Sequence, residues 1–296
     1  MNRGPGTCPQ IMGVIGSGFR RLPHTQAPVQ RVFQAVLDKC GIEGDYYLFD
    51  LQPEELTQFI EAAKVLRMPG FGVTMPYKQA IVSHLDHLSR RAELYGAVNL
   101  VLIKDGQTYG YMTDGIGFCG VWDERGYVFK NKRVLMIGAG AISGAICCEL
   151  AMRGAKQFII CNRSEARARD LAARLTSSMQ VSARTITFES DELDKAAAGT
   201  DVLIQTTSLG MDRTGTQYPY LGFIDHLPAS AIVCDVITSP LETALLRAAR
   251  ARGLQTSDGA DMLCYQMQPT MQLYFGTQVP DAAQLTPLAQ RAFRGE

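Results

Sequence analysis

The chain has 296 residues, 46% of them hydrophobic, and its 29 lysines and arginines balance 29 aspartates and glutamates. That length suits two ordinary domains with buried cores, and the even charge excludes a global field that would gather nucleic acid or an anionic membrane. No apolar run reaches membrane-spanning length, and the opening MNRGPGTCPQ lacks the charged-then-apolar plan of a signal peptide, so a cytoplasmic protein with a small-molecule partner is expected.

Residues 11–15 read as a strand entering the turn Gly16-Ser17-Gly18. A basic loop with Arg20 and Arg21 follows, and the stretch from Pro23 to Pro28 begins a helix running through about Cys40. Tyr46 to Leu51 forms a second strand, and Pro53-Glu54-Glu55 opens a helix with early acids, where the helix dipole favours them. Phe71 to Thr74 is a third strand. Met75-Pro76-Tyr77-Lys78 breaks it and leads into a helix containing His84, with His87 three residues on and on the same face. Beyond Asn99 the chain alternates as a hairpin about Asp105-Gly106 through Tyr109, and Tyr111 to Gly115 closes the first lobe.

The second lobe begins with a strand, a glycine turn, a helix and a second strand over Arg133 to Arg163. Arg133 to Ile137 is a short apolar strand, Gly138-Ala139-Gly140 follows at once, and Ala141 to Met152 has a helical pattern. Gly138 permits a tight turn. Gly140 lets backbone amides approach a pyrophosphate at the helix N-terminus, where Ala141, Ile142 and the small Ser143 complete the cradle. The second strand, Gln157 to Cys161, ends in Asn162-Arg163-Ser164 instead of the acid that would hold a ribose 2′-hydroxyl. An arginine there, with Arg167 one helical turn on, suits a 2′-phosphate, so NADP is the favoured cofactor, with NAD possible through Glu165. The lobe continues through strand Asp201 to Gln205, the turn Thr206 to Met211, strand Ile232 to Ile237 and helix Pro240 to Arg252. A Met- and Gln-rich helix runs from Gly259 to about Phe275, and a short amphipathic helix spans Leu285 to Phe293. The eight cysteines and four histidines show no metal-ligand spacing, and the cysteines suit core packing in a reducing compartment.

With these motifs placed, nearly the whole chain resembles the shikimate dehydrogenase family. Gly72-Val73-Thr74-Met75-Pro76-Tyr77-Lys78 is similar to the family's N-V-T-x-P-x-K, Gly96-Ala97-Val98-Asn99 to its G-A-V-N, and Gly110 to Gly117 to its G-x-N-T-D-x-x-G. Thr207 to Met211 and Gly259 to Gln266 match its later signatures. The resemblance implies an α/β protein of two lobes: a substrate-binding domain over 1–113, a Rossmann domain over 114–257, and C-terminal helices, 258–296, returning to the substrate domain. It also implies an NADP- or NAD-dependent oxidoreductase acting on a ring hydroxyl of a cyclic hydroxy acid. By resemblance, Lys78 and Asp114 are the catalytic pair, the lysine exchanging the hydroxyl proton and the aspartate orienting it. Thr25, Thr74, Asn99, Thr238 and Gln266 become substrate-binding residues, and Thr206, Ser208, Met211, Ile237, Gly259 and Met262 join the cofactor set. The family includes monomers and homodimers.

Departures from the family cluster among substrate-reading positions. The S-x-S before proline is Thr25-Gln26-Ala27, the loop before it is longer and carries Arg20 and Arg21, the asparagine before Val73 is Gly72, and an expected tyrosine is Thr238. An arginine of that loop is a candidate carboxylate donor in place of the lost hydroxyl. Three readings follow: a paralogue with retained hydride chemistry and an altered pocket, an ordinary shikimate or quinate dehydrogenase with compensating residues, and a non-catalytic ligand sensor. Retained Lys78 and Asp114 favour the first two.

Overall fold

In the computed structural model, which describes residues 9–19, 27–276 and 279–296, the chain divides into two units, Met1–Thr113 with Met267–Glu296, and Asp114–Gln266. The first contains β1 (Gln10–Gly16), α1 (Pro28–Cys40), β2 (Gly44–Asp50), α2 (Leu56–Val65), β3 (Gly70–Val73), α3 (Tyr77–Ala80), β4 (His87–Leu88), α4 (Arg90–Tyr95), β5 (Leu100–Lys104) and β6 (Gln107–Tyr111). The second contains α5 (Asp114–Glu124), β7 (Arg133–Ile137), α6 (Ala141–Met152), β8 (Gln157–Cys161), α7 (Glu165–Met179), β9 (Ser182–Ile186), α8 (Ser190–Ala197), β10 (Val202–Gln205), β11 (Ile232–Asp235), α9 (Ala244–Ala251), β12 (Gln255–Ser257) and α10 (Gly259–Tyr265). The chain then returns to the first unit with α11 (Met267–Phe275) and α12 (Ala282–Arg294).

The first unit's sheet runs in the order β2-β1-β3-β5-β6-β4. Parallel pairing of β1 with β2 and β3 brings the ends of these three strands to one edge, and the β5–β6 hairpin pairs antiparallel beside them. Alternation divides the faces. Phe71 joins Phe49 and Phe59 in a run of ring contacts, each at 5.0 Å between centroids, whereas Gly70 and Gly72 point to the opposite face. The second unit's sheet, β12-β11-β10-β7-β8-β9, is parallel throughout. Its inner strands, VLMI, FIIC, VLIQ and IVCD, are buried residue after residue, as expected of strands covered on both faces. All its strand C-termini therefore share one edge. No helix among the described residues is long and apolar enough to cross a membrane.

The sequence reading needs correction at several places. The C-terminal return starts at Met267, not 258, because α10 stays with the second unit and packs on α5, where Gly117 has the Met262 carbonyl and the Gln266 side chain in the space a Cβ would take. The long helix expected from Gly259 to Phe275 breaks at Gln266. The helix expected from Pro240 starts at Ala244, capped by Thr243, whose Oγ1 accepts from the Leu246 amide at 3.3 Å. His84 and His87 do not share a helix face: His84 ends a 3₁₀ turn against Thr57, and His87 lies on β4 beside Gln107. Strands β4, β9 and β12, short or polar, have no strong signature in the sequence.

Candidate active site

The second unit's shared strand edge gathers the residues expected to hold a dinucleotide. Gly138, at φ 121°, takes a conformation that side chains rarely adopt, and a Cβ there would meet Thr206 Oγ1 at 2.2 Å. Beside Gly140, by contrast, nothing lies within 4 Å of where a Cβ would be. A relay of hydrogen bonds fixes the turn between them. The Gly140 amide donates to Ser143 Oγ at 3.0 Å, Ser143 Oγ lies 2.7 Å from Thr206 Oγ1, and Thr206 Oγ1 donates to the Ile137 carbonyl at 3.0 Å. Ser143 is buried, whereas Ala139, Ala141 and Ile142 remain partly open at the start of α6. Open space at a glycine on the N-terminus of a twelve-residue helix fits a pyrophosphate.

At the end of β8, Asn162 Nδ2 donates to the Ser164 carbonyl at 2.9 Å, and Arg163 and Arg167 are exposed. Glu165 instead pairs with Arg169 at 2.8 Å on the surface of α7. The turn after β10 carries Thr206, the exposed Ser208 and Met211, and the loop after β11 carries the buried Ile237 and the exposed Thr238. Asp212 ties these two segments: its amide donates to the Ser239 carbonyl at 3.1 Å and its carboxylate accepts from Ser239 Oγ at 3.0 Å. Gly259 donates to the Ile237 carbonyl at 3.1 Å, which anchors α10, with Met262, to the same loop.

Two buried polar residues that sequence reasoning missed hold these loops. Gln205, fully buried at the end of β10, donates Nε2 to the carbonyls of Thr207 at 3.1 Å and Leu209 at 3.0 Å, while its Oε1 accepts from the Thr207 amide. Asp235, 1% exposed at the end of β11, accepts from Thr243 Oγ1 at 2.7 Å and from the Ile237 amide at 3.1 Å. Burial pushes its carboxyl up to about 6, although both hydrogen bonds pull the other way. A polar residue closing a wholly apolar strand was the available signal in each case.

Asp114 opens α5 with 2% exposure, and Gln266, at the junction of α10 and α11, donates Nε2 to its Oδ1 at 3.2 Å. Within the first unit, Lys78 lies in α3 with 7% exposure, its carbonyl accepting from Val98 at 2.7 Å. The Asn99 side chain is locked to Thr113: its Nδ2 donates to Thr113 Oγ1 at 2.9 Å and its Oδ1 accepts from the Thr113 amide at 2.9 Å. Thr74 follows β3, its amide bound to the Ile15 carbonyl and its own carbonyl accepting from Tyr77, both at 2.9 Å. Beside Gly72 the Tyr46 hydroxyl stands 3.1 Å from a would-be Cβ, so the room of a larger side chain is already taken. Ala27 caps α1 without a side-chain bond. Thr25, Arg20 and Arg21 lie outside the described residues. No group of three histidine, cysteine or acidic side chains fit for a metal ion occurs among those described.

Comparison with known proteins gives this geometry relatives. A family model described as shikimate dehydrogenase substrate binding domain matches residues 20–101, and one described as shikimate / quinate 5-dehydrogenase matches 123–211. A shikimate dehydrogenase (NADP(+)) from Symbiobacterium thermophilum is 34% identical over 94% of this chain and 92% of its own. Among solved structures, shikimate 5-dehydrogenase from Listeria monocytogenes, in complex with shikimate and NAD, has a TM-score of 0.83 at 28% identity, covering 94% of this chain and 96% of that one. The ligand-free 5-ketofructose reductase of a Gluconobacter strain also has a TM-score of 0.83 at 28% identity, over 98% of this chain and 99% of that one.

Proposed function

The chain belongs to the shikimate dehydrogenase family, and from that premise we propose that it transfers hydride reversibly between NADP(H) and a ring hydroxyl or ketone of a shikimate-like cyclic carboxylate, in a pocket altered at Ala27, Gly72 and Thr238. The observation that supports the chemistry is the burial of two charged side chains, Lys78 and Asp114, at motif positions, since neither residue type enters an interior readily unless it is used or compensated there. The support for the altered pocket is the Tyr46 hydroxyl beside Gly72, which occupies space that an asparagine would need.

NADP, when bound, supplies the hydride acceptor. Gly138, Gly140 and the first amides of α6 hold its pyrophosphate. Asn162, Arg163, Ser164 and Arg167 receive the 2′-phosphate, a role that guanidinium fills with a planar fork and a permanent charge. Met211, Ile237 and Met262 line the nicotinamide end. Lys78 Nζ holds the reacting hydroxyl and takes its proton as the carbonyl forms, and returns it in the reverse direction. Asp114 balances that charge, and the Gln266 amide orients its carboxylate. Asn99, with its rotamer set by Thr113, reads a neighbouring ring hydroxyl.

The test is reduction of NADP and of NAD by the purified chain, offered shikimate, quinate and related cyclic acids, with Lys78→Ala as control. Turnover with NADP that falls about a thousandfold in the variant is the expected result. Ordinary turnover of shikimate would favour the second reading, a shikimate dehydrogenase in which the three changes are tolerated, to which its identity with the NADP(+) enzymes lends weight. Tight NADPH binding without turnover of any acid would overturn both in favour of a sensor.

A further inference from the structure

We propose that Phe19 is a specificity-determining residue, offering a half-buried phenyl ring to one face of the substrate's carbocycle beside Thr74; this rests on the cyclic substrate proposed above. The turn that carries Phe19 is pinned at both sides. The Gly18 amide donates to Asp50 Oδ1 at 2.8 Å, and the Leu51 amide donates to the Gly16 carbonyl at 2.9 Å, so the turn is tied to the end of β2. From there the ring folds back over β1. Its Cζ stands 2.5 Å and its Cε2 2.9 Å from where a Cβ of residue 16 would be, and the Thr74 methyl stands 2.7 Å from the same point. Only a glycine at position 16 lets the ring and the methyl meet there.

The consequence falls on the strand end that leads to Lys78. Thr74 turns its methyl towards Gly16 and Phe19, which directs its hydroxyl elsewhere, and its carbonyl accepts from Tyr77 at the start of α3, one residue before Lys78. Phe19 takes no part in the Phe49, Phe59 and Phe71 contacts on the opposite face of the sheet, and its ring is only partly covered. A partly open aromatic face attracts the C–H edges of a saturated or half-saturated ring. It also penalises a hydroxyl laid against it, which would lose its hydrogen bonds without replacement. Phe19 thereby selects a ring with one bare face and discriminates against a hydroxyl on that side.

Steady-state kinetics of Phe19→Ala and Phe19→Leu test this, with shikimate, quinate and a shikimate analogue that lacks one non-reacting ring hydroxyl as substrates. For Phe19→Ala we expect KM for the preferred acid to rise about tenfold with kcat held within about threefold. The kcat/KM ratio between the deoxy acid and shikimate should move towards one, the leucine variant should lie between, and KM for NADP should not change. A parent chain that turns over none of the acids overturns the functional reading and this inference together. A parent that turns them over while both variants keep every KM within about twofold overturns the role of Phe19 alone.

Discussion

Beside Gly140, at the end of the first cofactor-unit strand, nothing comes within 4 Å of where a side chain would begin; beside Gly16, at the end of the first strand of the other unit, the Phe19 ring and the Thr74 methyl fill that place. Gly72 is a milder case, with the Tyr46 hydroxyl at 3.1 Å and the Val14 side chain at 3.3 Å from that point. The means of support differ in parallel. The loops of the second unit hang on hydrogen bonds from Ser143, Thr206, Gln205 and Asp235, which crowd Gly138 but leave the space beside Gly140 open. The strand ends of the first unit are tied by hydrogen bonds too, from Gly18 to Asp50 and from Leu51 to Gly16, but there packed side chains also fill the space before Gly16. A dinucleotide cradle needs fixed amides and open room, whereas a substrate floor takes its shape from whatever fills it.

The comparison breaks most sharply at the two glycines of the cofactor turn. Gly138→Ala introduces a side chain at φ 121° within 2.2 Å of Thr206 Oγ1, and should cost about 2 to 4 kcal/mol in stability and abolish the relay through Ser143. Gly140→Ala meets open space in an extended backbone conformation. Its melting temperature should stay within about 2 °C of the parent while NADPH binding weakens at least about tenfold. Thermal melts and calorimetric titration with NADPH separate the two cases. Equal losses of stability would mean that the room beside Gly140 is not kept for a ligand.

A buried acid sharpens the contrast at the next scale. The folded protein holds the Asp235 proton more tightly than the unfolded chain, so this group's contribution to stability is complete at low pH and is lost as pH rises through about 6. Asp235→Asn cannot ionise, and its amide can accept from Ile237 and donate to Thr243. Relative to the parent it should gain stability between about pH 4 and pH 7, by up to about 3 kcal/mol. Urea unfolding across that range measures the gain. A difference that does not change with pH would show that the loop after β11 does not depend on a carboxylate forced to ionise in the interior.

Sequence made the cofactor unit's skeleton legible for a local reason. Strand 133–137, helix 141–152 and strand 157–161 are apolar runs punctuated by glycine and polar residues, and the structure has these bounds. What stayed hidden depends on residues far apart in the chain. Gln266 reads as a residue within a helix until α10 packs on α5 and the helix breaks there. His84 and His87 satisfy a helical spacing that β4 overrides by pairing with β6. Gly72 reads as a departure from the motif's asparagine, and only the fold shows the Tyr46 hydroxyl, two strands away, beside it. Phe19 carried no signal at all, because the meaning of an aromatic residue in a loop lies in what it folds back upon.

The smallest effect tests whether that filling is real. Gly72→Asn must push aside Tyr46 Oη, 3.1 Å from the new Cβ, and the Val14 side chain at 3.3 Å, neither of which moves freely in a packed face. Its cost should be about 1 to 2 kcal/mol. Tyr46→Phe removes the obstructing oxygen while keeping the ring stacked on Phe33 at 4.1 Å, so in that background the same substitution should cost less. A double-mutant cycle by urea unfolding should then return a coupling of about 0.5 to 1 kcal/mol in favour of the pair. Strict additivity would place the obstruction at Val14 instead, and the difference at position 72 would no longer bear on how this chain shapes its floor.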